Sequence, residues 1–313
     1  MQEKIKKFLE EKGYNVKLVN SRIVTEHHFE NFKIQISGEL DCNNFPFSLP
    51  KLFLLDRRKY GLLAHVGWDI DKKQSDEGLI CEGVSENRHV DYDKPEEVYL
   101  LSLNKAVQTI KELLLNKEKN NEEVVKEFSA HWRFLIKDEN HRVINFLEPS
   151  EHIFEIKPVV SVDLIYNNVT FFVNDSYINP EYSFIKRLKK NGTVKGKGIY
   201  LPIIKPILPP SPSLDIKEWW MELLKQLNDD SVLELKEKLH NQKSKIFWLL
   251  SSIQFEENKY SWFCIKFVNQ TRDYFPLTIN SMRNGWNVFA HNVILHNREC
   301  LGSAKSGLFT PSK

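Results

Sequence analysis

Cys81 lies in the least periodic part of the chain, between Lys59 and Pro95, where it follows Gly78-Leu79-Ile80 and precedes Glu82-Gly83. A cysteine beside glycines in a polar loop is expected to be at least partly exposed. The thiolate is the nucleophilic form, and its pKa and access set its reactivity. Such a nucleophile works with an adjacent base or an oriented donor. His65, Asn87 and His89 are the nearby side chains of suitable type. Covalent catalysis by the thiol is one reading of this group. A small residue packed under the loop is the other.

The remaining chemistry-bearing residues have plainer readings. Cys42, Cys264 and Cys300 are far apart and form no Cys-x-x-Cys pair with one another or with Cys81, so neither a disulfide framework nor a cysteine zinc site is expected. Adjacent His27 and His28 on a strand point to opposite faces, and no third metal ligand is evident. Trp219-Trp220 open an amphipathic helix and read as core, as do Phe45, Phe47, Phe53, Trp132, Trp248 and Trp262. Gly192, Gly196 and Gly198 lie in a lysine-rich stretch with spacing unlike a dinucleotide-binding loop and read as a turn.

Those residues need elements to hold them. Ile5, Phe8 and Leu9 in MQEKIKKFLEEKG form an apolar helical stripe that Gly13 would end. YNVKLVN, FENFKIQISGEL and LPKLFLLD then read as antiparallel strands. After the long loop, VYLLSLNKAVQTIKELLLN places Val98, Leu101, Leu103, Val107, Ile110 and Leu114 on one helical face. NKEKNNEE reads as a solvated loop leading to a second helix, with Asn121 as its N-cap and Glu122 and Glu123 in its first turn. The order is α+β.

From about residue 150 a second section begins, with a boundary expected near Glu148–His152. FEIKPVVSVDLIYNNVTFFVN reads as strands turning at Asn167-Asn168, and YLPIIKPILPPSPS as an extended connector. WWMELLKQL and VLELKEKLHNQ read as helices; IFWLLSSIQF, YSWFCIKFVN and VFAHNVILHN read as strands, with a frayed tail after them.

Composition narrows the function classes. The 313 residues are 41% hydrophobic and 27% charged with a net charge of +2, the two signs interleaved. That gives no electrostatic footprint for nucleic acid and no polybasic membrane anchor. The charged N-terminal helix lacks the apolar run of a signal peptide, and no stretch has the ~20 apolar residues that cross a bilayer, so the cytoplasm is the expected compartment.

The pattern around Cys81 carries a resemblance. FPFSLPKLFLLD, Phe45 to Asp56, is similar to the aromatic-Pro-Phe-x-x-Pro strand of ubiquitin-conjugating (E2) enzymes. As in those enzymes, a loop histidine (His65), then Gly78-Leu79-Ile80-Cys81, then a helix after DYDKPEE follow in order, over roughly residues 1–135. Glu127-Phe128 with His131-Trp132, and the linker-like YLPI, LPPSPSLDIKEWW and IFWLLSSIQF, resemble most the E2 and linker regions of bacterial E2–E1 fusions from anti-phage CBASS operons.

The resemblance implies an E2-like (UBC) domain over residues 1–148, with an antiparallel sheet and flanking helices, and a mixed α/β linker domain over residues 149–313. It implies Cys81 as the thioester carrier for a ubiquitin-like protein, or for another E1-activated tail such as a cyclic-nucleotide synthase C-terminus. No cofactor is expected in this chain, because ATP is consumed by an E1-like partner. No adenylation domain is expected within these residues, so that partner would be a separate polypeptide or lie beyond this chain.

One departure stands out. Eukaryotic E2 enzymes carry His-Pro-Asn before the cysteine, and its asparagine polarises the carbonyl under attack; here His65-Val66-Gly67 stands instead. Losing one such donor costs about 3–4 kcal/mol in acyl transfer, which makes Asn87 and His89 the replacement candidates. Asp91 and Asp93 are candidates for deprotonating an incoming lysine, although Asp93 is also placed to cap the helix at Pro95. The departure also leaves open an inactive E2-like binding or scaffold module. A Cys-His hydrolase would need an orienting histidine that the sequence cannot place.

Overall fold

The computed structural model describes residues 1–41, 43–68, 76–81, 91–133, 135–137, 140–160, 169–174, 192–211, 214–239, 242–269, 274–277, 282 and 285–295. The chain divides into two compact units, one built on Met1–Ala130 and the other on His131–Pro210 with the residues from Leu214 onward.

In the first unit, α1 (Gln2–Glu11) buries Ile5 and Leu9, four residues apart on one face. Gly13, at φ +86°, turns the chain where a side chain would be strained. A meander follows: β1 (Asn15–Val19), β2 (Arg22–Phe29) and β3 (Phe32–Glu39). Its first hairpin turns at Asn20-Ser21, both with positive φ, the twist that a two-residue hairpin requires. β4 (Lys51–Leu54), a short 3-10 turn (Arg57–Tyr60), β5 (Val66–Trp68) and β6 (Gly78–Ile80) complete an antiparallel sheet of order β1-β2-β3-β4-β6-β5. β6 therefore inserts between β4 and β5, and β5 forms the edge.

α2 (Pro95–Leu115) begins with Pro at its first position and Glu96 and Glu97 in the first turn, where the helix dipole favours acids. It buries Val98, Tyr99, Leu103, Ala106, Ile110 and Leu113 in one cluster with Ile5, Ile23, Ile34 and Ile36. The sheet's inner face is thus covered by α1 and α2, an α+β domain with flanking helices. Leu101, expected in the stripe, is exposed, because the true buried face runs through Tyr99 and Ser102. Phe47, expected in the core, is 79% exposed and packs against Tyr92 at 5.4 Å, while Phe45 turns inward.

α3 (Lys117–Lys126) starts earlier than its charge pattern predicts. Asn116, not Asn121, is the cap: its side chain accepts the Lys119 N–H at 3.0 Å. NKEKNNEE is therefore helix rather than loop, and α4 (Phe128–Arg133) follows.

The second unit holds β7 (Arg142–Asn145), β8 (Phe154–Val160), β9 (Val169–Val173), β10 (Thr193–Val194) and β11 (Lys197–Ile203). It continues with α5 (Ile216–Gln226), α6 (Asp229–Leu239), β12 (Ile246–Glu256), β13 (Lys259–Val268), β14 (Asn287–His291) and β15 (Val293–Leu295). The strands form a mixed sheet, β14-β13-β12-β11-β8-β9-β7-β15, with β10 beside β8. β11 and β12 are parallel, and α5 and α6 lie in the connection between them, as parallel pairing demands.

YLPI is thus a buried central strand and not part of a connector; its apolar residues fill both faces of β11. VFAHNVIL, expected as one strand, is two. β14 and β15 end the sheet at opposite sides yet are separated only by Asn292, so the sheet curls until its two ends meet. Inside the curl, Trp248, Leu250, Trp262 and Cys264 pack with Tyr200, Phe172 and Val143. On the opposite face Phe263 meets Trp219 and Phe267 meets Trp220, each at 5.4 Å. The Trp219, Trp220 and Trp132 indoles donate to the carbonyls of Leu208, Pro276 and His291, which satisfies their one polar group. Among the described residues no helix is long and apolar enough to cross a membrane.

Gly38 on β3 leaves the space that the buried Tyr99 hydroxyl fills; a Cβ there would overlap that oxygen and the ring carbons behind it. Gly38→Ala is expected to lower unfolding free energy by about 1–3 kcal/mol. Gly38→Ala combined with Tyr99→Phe is expected to recover part of the loss, as read from urea denaturation midpoints.

Candidate functional site

β6 carries Cys81 to the surface. Its residues are paired on both sides, Leu79 with Phe53 of β4 and with Gly67 of β5, and Ile80 with Val66. Cys81 is the first residue beyond the strand and is exposed. Its N–H donates to the His65 carbonyl at 2.7 Å, which extends the β5–β6 ladder by one bond. Sequence reasoning named both residues, and the structure brings them together.

Gly78 explains itself by packing rather than by chemistry. A Cβ there would press on the Val66 side chain and approach Arg57 Cδ at 2.7 Å. Arg57 is fully buried, and its burial pulls its pKa down to about 10 against the opposing charge of Asp76.

His65 is held from the helix side. Its φ of +58° is a left-handed conformation that costs a non-glycine residue about 1–2 kcal/mol. Glu127, at the C-terminal end of α3, compensates with both carboxylate oxygens. One accepts the His65 backbone N–H at 2.9 Å, and the other accepts the ring Nδ1–H at 2.7 Å. Glu123, one turn earlier, places a carboxylate oxygen 4.0 Å from Nε2 and also pairs with Lys126. Asn120, a further turn back and buried, donates to the Leu62 carbonyl and accepts the Ala64 N–H. One helix face thus pins the segment from Leu62 to His65, whose next link is Cys81.

The hydrogen bond that the His65 ring donates to Glu127 raises the pKa of His65 above its ordinary value, against the desolvation that lowers it. The charges of Glu127 and Glu123 add to the rise, and Lys119 opposes it.

Asp91 is exposed and shapes the turn before α2: its carboxylate accepts the Asp93 N–H at 3.1 Å, and its carbonyl accepts the Lys94 N–H. Among the described residues it makes no hydrogen bond to Cys81 or His65. Asp93 is not the cap that was expected; Lys94 holds that position, without a side-chain bond. Asn87, His89, Cys42 and Cys300 lie outside the described residues. Cys264 is fully buried, and burial pushes its thiol well up from the ordinary range, which suits an inert core residue. His27 and His28 make separate contacts, with Thr25 and Glu26, and burial with its neighbour His28 pulls His27 down to about 4. Among the described residues no cluster of histidine, cysteine and acids suits a metal.

Residues 6–140 match the family model of prokaryotic E2 family B. The match covers somewhat under half of the chain and supports a bacterial E2-like domain over the segment that holds Cys81, His65 and Glu127. The chain matches no curated protein.

Because His65 has a raised folded pKa, its contribution to stability is fully present below the unfolded value of about 6.5. That contribution is lost as pH rises through the folded value. The stability gap between wild type and Glu127→Gln is therefore expected to be largest near pH 6, at about 0.5–1 kcal/mol for a partly exposed pair, and to narrow above neutrality. Urea denaturation at a series of pH values checks this; a gap that widens with pH would contradict the charged pair.

Proposed function

We propose that Cys81 carries the C-terminal acyl group of a ubiquitin-like protein, or of another E1-activated protein tail, and transfers it to an amine. The observation that carries this reading is the exposed Cys81 at the open end of β6, bonded to His65, inside the segment that matches an E2 family. In the first step the Cys81 sulfur attacks the thioester carbonyl on the E1-like partner; a new S–C bond forms and the partner's thiol leaves with the proton. In the second step an amine, in the main reading a lysine, attacks the same carbonyl. The C–N bond forms, the C–S bond breaks, and the Cys81 thiolate is released. ATP is consumed at the partner, and this chain needs no cofactor for either step. Asn87 and His89 are the proposed donors for the developing oxyanion, and Asp91 a proposed acceptor of the amine proton.

The likeness of the second section to the linker of CBASS fusions favours a role in bacterial anti-phage defence, with a cyclic-nucleotide synthase C-terminus as the carried group. That part rests on likeness alone. One observation favours a second reading, an inactive scaffold: Val66 is a buried strand residue and Gly67 has no side chain, where conjugating enzymes present Pro-Asn.

The two readings separate by incubating wild type, Cys81→Ala and Cys81→Ser with the cognate E1-like enzyme, the modifier and ATP, and measuring intact mass. The carrier predicts a thiol-labile adduct on wild type, none on Cys81→Ala and a thiol-resistant ester on Cys81→Ser. An E1 that becomes charged beside an unmodified wild type would establish the scaffold.

A further inference from the structure

We propose that Glu127 is a positioning residue for Cys81, acting through His65, an inference that rests on the thioester reading. Three contacts lie in series: Glu127 holds the His65 N–H and ring on its two oxygens, and the carbonyl of the same His65 accepts the Cys81 N–H. Among the described residues no other side chain grips His65 as closely, since Glu123 stands at 4.0 Å and is shared with Lys126. The left-handed backbone of His65 gives this bridge a function. Without the carboxylate, relaxation toward negative φ would swing the peptide groups on either side of His65 and displace the acceptor to which Cys81 is tied. Asn120 secures the preceding residues, so the loss would fall at His65 itself and not spread along the whole segment.

The charged groups facing the ring are Glu127, Glu123 and Lys119, with Lys126 on Glu123. Protonation of His65 tightens the Glu127 contact, so the placement of Cys81 inherits a dependence on the ionisation of a residue that does not itself react.

A glycylglycine thioester of 2-mercaptoethanesulfonate tests this without the E1-like partner. The Cys81 sulfur attacks its carbonyl, an S–C bond forms, and 2-mercaptoethanesulfonate leaves with the cysteine proton. Acylation of the full chain is followed by intact mass against thioester concentration and pH, for wild type, Glu127→Gln, Glu127→Asp, His65→Gln and the double variant Glu127→Gln/His65→Gln. Positioning predicts a roughly tenfold fall in the saturating rate of Glu127→Gln with little change in half-saturation. It also predicts a His65 inflection displaced down toward about 6.5, partial recovery in Glu127→Asp, and a double variant no slower than His65→Gln alone.

Equal rates and pH profiles in wild type and Glu127→Gln would overturn the positioning role and leave the thioester reading intact. A slower Glu127→Gln whose inflection stays in place would mark general loss of structure and overturn it as well. Wild type that resists acylation while iodoacetamide alkylates Cys81 freely would remove the thioester reading, and this inference with it.

Discussion

The bond from the Cys81 N–H to the His65 carbonyl is the point on which the candidate site turns. β5 and β6 are three residues each, and β5 is the edge of its sheet, so the ladder has few bonds with which to fix its last residue. A pair of strands this short is weak alone. Among the described residues the bond to His65 is the hydrogen bond that holds the Cys81 backbone, and His65 itself sits in the left-handed region at φ +58°. The helix face of Asn120, Glu123 and Glu127 supplies the missing restraint. The exposed thiol is thereby connected, through backbone groups and one imidazole, to a helix that buries Val124 in the core of the unit.

The same unit shows close approach used twice in place of side-chain packing. At Gly38 the sheet admits the Tyr99 hydroxyl from α2, and at Gly78 it admits the stem of Arg57 and the Val66 side chain. Both glycines let a large buried group lie against backbone, at densities where one added carbon must displace something. Gly78 is two residues from the pair Ile80 and Val66 that leads into Cys81 and His65. The glycine in Gly-Leu-Ile-Cys therefore serves the wall behind the site, and its proximity in sequence to the cysteine reflects where that wall must be thin.

Much of this was legible in the sequence where local rules and tertiary demands agree. The helix at Ile5 and Leu9, the amphipathic α2 and the long strands β12 and β13 all follow from periodicity. The failures have physical causes. Leu101 and Phe47 carry the right hydrophobicity on the wrong face, since only the sheet decides which side of an ambiguous stripe is covered. YLPI reads as a connector because Pro202 suggests one, yet the strand is buried between β8 and β12. Within the site, Cys81 and His65 were visible by residue type. Glu127 was visible only as part of a family-like ending, and Asn120 and Glu123 not at all. Their spacing of three and four residues marks a single helix face, but a polar stripe on a charged helix looks the same whether it meets solvent or a loop from elsewhere in the chain. The left-handed φ of His65, which makes that stripe matter, has no signature in composition.

The geometry also constrains how an oxyanion would be met if the transfer proposed above takes place. The Cys81 N–H is already engaged by His65, so it is not available to a carbonyl held at the sulfur. Val66 is buried and paired with Ile80, and Gly67 faces Leu79 in the ladder without a side chain, so the residues after His65 serve the sheet. Asn87 and His89, in the chain beyond Cys81, are therefore the donors proposed for this role. In this arrangement the division of labour differs from that of a His-Pro-Asn enzyme. The histidine segment holds the Cys81 N–H and is itself held by α3, and in the proposed transfer polarisation of the carbonyl would pass to the other side of the cysteine. A positioned donor is worth about 3–4 kcal/mol only where its geometry is preorganised around the developing charge.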